Sequence, residues 1–432
     1  MTCEVAVMNK YAVVIAADSA VTTASGNGNQ RYSKGGNKIF QLSRLEPVGV
    51  MIYGSATLDG VPWEIIIKNF RDKLGSTKHG SLQGYATAFF EFVQRASFFF
   101  PQADLDSKLL ERTLRIALDL INAARKANAD IGDATKPLNE RQGAWASYVN
   151  HLSAELGQRP MHPCVTDGVI DDVIVEVREK LANYPMFVQY LAAEGLTDVV
   201  SIESLAGLAS AYLYKCYASE LGQTGIVFSG FGDDQYFPVV IKYEVYGFLK
   251  NDFLYTKDDN NSREVSHDEP SGIFQFAMTS SIDTFTTGVG SDTYVEVQRA
   301  YQQGAKTLVA NVLQAHNIAT LPVDFDQTLA ASASAFADDW LNKLLAAHYH
   351  PMKRVIASLP IPEMVHLAET LIVLQSLKER ITTHSESVGG PVDIAVITKS
   401  EGLVWIKRKH YFDADRNLPY MMRQRALYED KV

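Results

Sequence analysis

The chain has few cysteines, no long uninterrupted apolar run and no excess of positive charge. Its three cysteines, Cys3, Cys164 and Cys216, are far apart and lack the spacing of metal ligands, which indicates a reducing compartment and hence the cytoplasm. Apolar stretches do not reach the roughly 18 residues of a membrane-spanning helix, and no signal peptide pattern is present. A formal net charge of −10 argues against nucleic acid or an anionic membrane as a partner.

What the chain does have is a strongly patterned start. Residues 2–8 alternate in polarity, which predicts a strand with one buried face, and residues 11–17 form an apolar run typical of a more deeply buried strand. The intervening MNKY segment is short enough for a hairpin. After a polar loop rich in Gly and Asn, KIFQL and VGVMIYG predict a second pair of strands. A helix is expected to begin near Pro62.

The second residue of the chain has a chemical property of its own. Thr2 follows Met1 directly, and threonine is small enough for the initiator methionine to be removed. Removal would leave Thr2 with both a hydroxyl group and a free α-amine. An α-amino group titrates near roughly 7.7 to 8.0 and can act as a base close to neutrality. A threonine activated by its own amine is a recognised covalent nucleophile.

Four residues of this region, in this order, carry a family resemblance. They are Thr2, Asp18 closing the second strand, Lys38 opening the third, and Gly54 shortly before the first helix. The pattern resembles the proteasome β-type subunits and their bacterial threonine peptidase relatives, in the N-terminal nucleophile hydrolase superfamily. The resemblance implies that Thr2 is the nucleophile, Asp18 and Lys38 the charge pair beside it, and the Gly54 N–H the oxyanion donor. Lys38 comes a few residues later than in the family, and Lys34 is the competing candidate.

The chemistry requires residues of these types. A buried lysine favours the anionic oxygen of the nucleophile and keeps the neighbouring amine deprotonated, while an aspartate holds the lysine charged and oriented. A backbone N–H aimed at the oxyanion contributes roughly a hundred- to a thousandfold in rate. Individually, each residue has an ordinary structural role as a turn, surface or bend residue. Their combination, with threonine near the terminus, favours the catalytic interpretation.

The middle of the chain departs from a compact fold of this kind. Residues 76–199 carry successive helical patterns that predict a helical insertion, either a cover over the substrate cleft or a structural or oligomer-forming elaboration. Residues 201–221 predict a second core helix, and two strands should follow, joined by a turn that contains Asp233 and Asp234. The polar stretch KDDNNSREVSHDEPSG predicts a flexible loop.

The end of the chain predicts a long helix and a closing hairpin, VDIAVIT and LVWIKRK. In the family, the turn between this helix and the hairpin carries an Asp and a Ser that contact the amine of the nucleophile. The resemblance places Ser385 at the Asp position and Val388 at the Ser position, and the adjacent Glu386 and Ser387 could substitute. Ser280 and Ser281 lie near the place of a further family serine, without its glycine-serine-glycine pattern.

The resemblance implies an α+β fold, a four-layer αββα sandwich of the N-terminal nucleophile hydrolase type with large helical insertions. The hydrolase core is expected in residues 1–75, 200–300 and 360–432, with the helical insertion at 76–199 and additional helices at 301–359. The expected activity is hydrolysis of amide bonds in peptides through an acyl-enzyme intermediate, without a metal or organic cofactor. His348 and His350 have no third partner nearby and indicate a helix end rather than a metal site.

Substrate and partners follow from the resemblance alone. It places Ala20, Val21, Thr22 and Ile52 along the substrate cleft, with Ile52 near the base of the side-chain pocket. A peptide or small amide substrate is expected, and the resemblance implies a homo-oligomer, with a ring among its arrangements. Two other functions stay open, a small-molecule amidohydrolase on the same fold and a non-catalytic proteasome-like structural subunit.

Overall fold

The computed structural model describes residues 3–24, 30–278, 280–318, 321, 324–382, 388–409, 412–413 and 415–429. Its strands are β1 (Cys3–Asn9), β2 (Val13–Ala17), β3 (Val21–Ala24), β4 (Gln30–Ser33), β5 (Ile39–Gln41), β6 (Val48–Gly54), β7 (Thr57–Leu58), β8 (Val61–Pro62), β9 (Thr224–Gly230), β10 (Val239–Leu249), β11 (Asp252–Glu264), β12 (Ser271–Ala277), β13 (Asp393–Thr398) and β14 (Gly402–Lys407). Its helices are α1 (Trp63–Leu74), α2 (Leu82–Arg95), α3 (Gln102–Ala127), α4 (Leu138–Gly157), α5 (Val169–Asn183), α6 (Pro185–Ala193), α7 (Ile202–Lys215), α8 (Tyr217–Glu220), α9 (Ser280–Thr287), α10 (Ser291–Ala315), α11 (Phe325–Leu344), α12 (His350–Ile356), α13 (Ile361–Thr382) and α14 (Leu418–Glu429).

Two five-stranded sheets organise the described residues, and their strands pair antiparallel. The first sheet has the order β12-β1-β2-β13-β14, and the second has the order β11-β10-β9-β6-β5. With the helices around them, these sheets confirm the α+β class. The hairpin between β1 and β2 and the closing hairpin of β13 and β14 are also as predicted.

The core is arranged on both sides of each sheet. Residues such as Ala6, Met8 and Met51 form an apolar cluster between the two sheets. The outer face of the second sheet carries α1 and α2, which pack on it through side chains such as Trp63 and Phe89. The outer face of the first sheet carries α13. Charged residues at the ends of the strands therefore lie between apolar layers.

The alternation in β1 led to a wrong expectation about its burial. Every residue of β1 is buried, rather than one face only. Cys3 and Val5 belong to the cluster beneath α13, whereas Ala6 and Met8 face the second sheet. A strand in the middle of a layered structure has no face toward solvent. Small residues such as Ala6 therefore pack against the second sheet, while the alternate residues pack beneath α13. The deeply buried character expected of β2 is confirmed.

Helices α3 to α8 share a separate apolar cluster. Helix α7 lies within residues 201–221, which the sequence predicts as a core helix, and it contacts α3, α4 and α5 within this cluster. Leu82–Arg95, which the sequence assigns to the insertion, instead lies on the second sheet beside α1. The division of the chain into domains stays a prediction.

Two polar segments also differ from expectation. Residues 257–264 belong to β11 rather than to a flexible loop, because β10 supplies its backbone hydrogen bonds and Lys242 Nζ lies 2.9 Å from Asp258 Oδ2. The polar loop before Lys38 includes β4, which pairs with β3 in a small two-stranded sheet. None of the helices among the described residues is long and apolar enough to span a membrane.

Candidate functional site

A buried ion pair lies where β2 ends and β5 begins. Lys38 Nζ is 2.5 Å from Asp18 Oδ1, and the two side chains are 8% and 0% exposed. Asp18 follows the last residue of β2, and Lys38 precedes the first residue of β5, so adjacent ends of the two sheets bring the charges together. A charge-assisted hydrogen bond of this kind is strong when water is excluded.

Within the described part of the chain, three backbone N–H groups also donate to the Asp18 carboxylate. Cys3 N donates to Oδ1 at 3.0 Å, while Ala20 N and Gly389 N donate to Oδ2 at 3.2 and 2.8 Å. Together with Lys38, these donors place at least two hydrogen bonds on each oxygen of the carboxylate. Cys3, whose N–H donates to this carboxylate, is the residue that follows Thr2 in the chain.

Backbone hydrogen bonds hold the three segments that meet at this pair. Ile52 N donates to the Lys38 carbonyl at 3.0 Å, which fixes the start of β5 against β6. Ser19 N donates to the Gly389 carbonyl at 3.1 Å, and Gly36 N donates to the Ser19 carbonyl at 3.2 Å. The position of the ion pair is therefore set by backbone contacts on both sides.

Lys38, rather than Lys34, is the lysine that pairs with Asp18. Lys38 is buried, whereas Lys34 is exposed and lies beside the turn at Gly390. This difference agrees with the place of each residue in the pattern, since Lys38 directly precedes the apolar residues of β5. The structure brings Asp18 and Lys38 together as the resemblance implies, although their catalytic roles stay proposals.

Gly54 ends β6 with a φ of +87°, in the region that favours glycine. A Cβ at this position would lie 2.5 Å from the Gln223 carbonyl oxygen. Ser55 N donates to the same carbonyl at 3.2 Å. The backbone conformation therefore accounts for the glycine by itself, and its use as an oxyanion donor stays a prediction.

The residues predicted along the substrate cleft have different environments. Ala20 is buried next to Asp18, and Val21 is partly exposed. Ile52 is buried in the cluster between the second sheet and the helices α1 and α2. The backbone of Thr22 is in β3, and its side chain lies outside the described residues. Their contact with a substrate stays a prediction.

Several other predicted residues lie outside the described part of the chain. Thr2 is one of them, and so are Ser385, Glu386 and Ser387. Of the two serines near the start of α9, Ser280 Oγ accepts a hydrogen bond from Lys378 Nζ at 3.2 Å. Within the described residues, no three His, Cys, Asp or Glu side chains are grouped so that they could hold a metal ion.

Sequence reasoning missed Glu4, the residue next to Cys3 on β1. Glu4 is fully buried, and neither carboxyl oxygen has a hydrogen-bond partner among the described residues. Burial raises the pKa of Glu4 well above its usual range, the Asp18 charge raises it further, and Lys38 opposes these effects. Burial similarly raises the pKa of the Cys3 thiol. The signal was a single acidic residue inside an otherwise apolar strand.

Comparison with known proteins gives no family assignment. No family model matches the chain, and no curated protein matches it. Among solved structures, the chain is similar to an Anbu (Gly-1) mutant from Hyphomicrobium sp. strain MC1, at 12% identity and a TM-score of 0.27, covering 100% of this chain and 98% of that one. It is also similar to Anbu (ancestral beta-subunit) from Yersinia bercovieri, at 9% identity and a TM-score of 0.26, covering 99% and 96%. A third similarity is to the helical assembly of the Anbu complex from Pseudomonas aeruginosa, at 10% identity and a TM-score of 0.27, covering 99% and 94%.

These findings correct the family expected from the sequence. The assignment to proteasome β-type subunits and their bacterial threonine peptidase relatives is wrong, because no family model supports it and the solved chains reported above are named Anbu. The assignment depended on four residues within a short segment, which is too little of the chain to separate one family from another. At these TM-scores, the similarities establish neither the fold nor the activity of this chain.

Proposed function

We propose that the chain is an N-terminal threonine hydrolase that cleaves amide bonds through an acyl-enzyme intermediate. The observation that carries the proposal is the buried contact between Lys38 and Asp18, 2.5 Å long, with Cys3 N donating to the same carboxylate. Cys3 follows Thr2 in the chain, and this supports a role for the Lys38 charge in stabilising a threonine alkoxide.

The reaction follows from these groups. The Thr2 hydroxyl oxygen attacks the amide carbonyl carbon, and the α-amine of Thr2 accepts the hydroxyl proton. The Lys38 charge stabilises the developing alkoxide, and the Gly54 N–H donates to the oxyanion. The amine then passes the proton to the leaving nitrogen as the C–N bond breaks, which leaves an ester on Thr2. Water, deprotonated by the same amine, hydrolyses the ester and restores the threonine.

The two sheets and the helices on their outer faces are arranged in successive layers. We take the order of α13, the first sheet, the second sheet and the pair α1 and α2 as a four-layer αββα sandwich of the N-terminal nucleophile hydrolase type. The apolar clusters between successive layers support this interpretation. In such a sandwich, the site lies at one end of the two sheets, where Asp18 and Lys38 meet.

The substrate proposed is a peptide or a small amide, bound along Ala20, Val21, Thr22 and Ile52. The apolar character of Ile52 favours apolar or small groups in the side-chain pocket. Ser385, Glu386 and Ser387 are proposed to support the amine of the nucleophile. We also propose that the protein acts in the cytoplasm as a homo-oligomer.

Intact-mass measurement is the first test. Removal of Met1 is expected, and its retention would block the amine and refute the threonine mechanism. A β-lactone or epoxyketone probe should then add covalently at Thr2, and Thr2→Ala should abolish both labelling and hydrolysis. Absence of labelling in a folded protein without Met1 would favour a non-catalytic subunit. Labelling without peptide cleavage would favour a small-molecule amidohydrolase.

The two candidate lysines provide a matched pair of variants. Lys38→Met removes the buried charge and should nearly abolish hydrolysis, whereas Lys34→Met alters an exposed side chain and should leave it unchanged. Equal loss in both variants would contradict the assignment of Lys38. Circular dichroism should accompany the assays, so that loss of folding is separated from loss of chemistry.

A further inference from the structure

Glu4 differs from Asp18 although both carboxyls lie in the same buried region. Asp18 accepts hydrogen bonds from Lys38 and from three backbone N–H groups. Glu4 is 0% exposed, and both of its oxygens lack a donor among the described residues. An ionised carboxylate without donors in a water-free interior costs several kcal/mol or changes its protonation state. The two acids are therefore expected to hold different charges.

The pairing of β1 defines where Glu4 lies. It is opposite Ala17 on β2 and Phe276 on β12, and Ala6 and Met8, which follow it at every second position, belong to the cluster between the sheets. Successive strand side chains alternate between faces, so Glu4 faces the second sheet, from which Lys38 also comes.

Four titratable groups interact electrostatically with Glu4. Lys38 and Asp18 act electrostatically on Glu4, and Glu4 in turn acts on the Cys3 thiol and the Tyr53 hydroxyl. Lys38 and Asp18 together are neutral, so ionisation of Glu4 would give the region a net negative charge. It would also place a second carboxylate against the one lysine that the proposed mechanism uses.

We infer that Glu4 is held as a neutral carboxylic acid beside the Lys38–Asp18 pair and acts as a positioning residue that preserves the effect of the Lys38 charge on the nucleophile. This role rests on the proposed hydrolysis at Thr2. When Glu4 loses its proton to solvent at higher pH, the new carboxylate offsets part of the Lys38 charge. The alkoxide is then stabilised less, and hydrolysis slows.

The variant Glu4→Gln tests the inference, since glutamine has the shape of a neutral glutamic acid and cannot ionise. In the unfolded chain Glu4 loses its proton near pH 4.3, whereas the folded state retains it. Rising pH therefore favours unfolding of the wild type but not of the variant. The unfolding equilibrium constant of the wild type relative to Glu4→Gln should increase by up to about tenfold per pH unit above that point, until Glu4 ionises in the folded state.

The matched control is Glu91→Gln, at a side chain that is 56% exposed on α2. Its stability relative to the wild type should show little dependence on pH over the same range. A ratio for Glu4→Gln that is equally flat would overturn the inference, because it would mean that Glu4 ionises as readily in the folded as in the unfolded chain. Failure of Glu4→Gln to fold would overturn it as well.

The pH profile of kcat/KM tests the role in catalysis. Glu4→Gln should match the wild type near neutrality and lose activity at a higher pH on the alkaline side. If both profiles coincide while the wild type hydrolyses substrate, the role of Glu4 is refuted and the proposed function stands. If the wild type has no activity at all, the proposed function fails, and the stability measurements still decide the protonation state of Glu4.

Discussion

Replacing Asp18 by Asn is the perturbation that tests the site most directly. The substitution keeps the shape of the side chain but removes its charge and turns one acceptor oxygen into an NH2 donor. Lys38 Nζ and Cys3 N both donate to Oδ1, while Ala20 N and Gly389 N donate to Oδ2. Whichever way the amide is oriented, two donors face an NH2 group.

The contacts of Asp18 determine how much Asp18→Asn should lower the free energy of unfolding. Breaking a buried ion pair by removing one partner costs about 3–5 kcal/mol, because the remaining charge is buried without compensation. A buried N–H without an acceptor adds about 1–3 kcal/mol. We expect Asp18→Asn to lower the free energy of unfolding by about 4–8 kcal/mol from these two effects. Lys38→Met should cost less, about 1–3 kcal/mol, because three backbone N–H groups still stabilise the carboxylate.

Urea unfolding followed by circular dichroism at neutral pH measures these differences through the midpoint and the slope. The double variant Asp18→Asn with Lys38→Met should be more stable than the sum of the two single effects predicts, since it leaves no unpaired charge. Two results would refute the reasoning: a larger loss for Lys38→Met than for Asp18→Asn, or strict additivity in the double variant.

Further predictions concern the glycine at the end of β6 and the cysteines. Gly54→Ala should destabilise the protein by more than the roughly 1–3 kcal/mol of an unfavourable φ, because its Cβ would lie 2.5 Å from the Gln223 carbonyl oxygen. Gly60 has a similar φ of +89°, but a Cβ added there would have no neighbour within 4 Å among the described residues. Gly60→Ala should therefore lose only the stability due to φ. Thermal unfolding checks this, and equal losses would contradict it. Cys3 is fully buried with a thiol pKa raised by burial, so iodoacetamide should modify it more slowly than the partly exposed Cys164 in the native protein, at rates that converge in denaturant. Peptide mass mapping measures both rates, and equal native rates would show that Cys3 is accessible.

Local pattern was sufficient for many elements because the physical cause is local. The apolar run of β2, the helix that begins at Trp63 and the closing hairpin all lie where the sequence predicts them. The predictions were wrong where a distant strand or helix stabilises a segment whose own residues do not favour that structure. The polar residues 257–264 form a strand because β10 provides hydrogen bonds, and no feature within the segment indicates that partner.

The assignment of helices to layers shows the same limit. Both α2 and α7 have apolar faces, and either could cover a sheet by its pattern alone. In the structure α2 lies on the second sheet, whereas α7 packs among α3, α4 and α5. Apolar periodicity predicts that one face of a helix is buried, but it does not indicate which element that face packs against.

For the site, the sequence by itself determined which residue types stand at the ends of the early strands, Asp18, Lys38 and Gly54, and that they occur together near Thr2. Tertiary structure decided their environment. Gly389 donates to Asp18, which is 371 residues away in the chain, and Glu4 is buried without a donor in the part of the chain that the structure describes. Such differences depend on which distant segments bring N–H groups and exclude water, and protonation follows from that environment, because the free energy of a buried charge is set by its neighbours rather than by its place in the sequence.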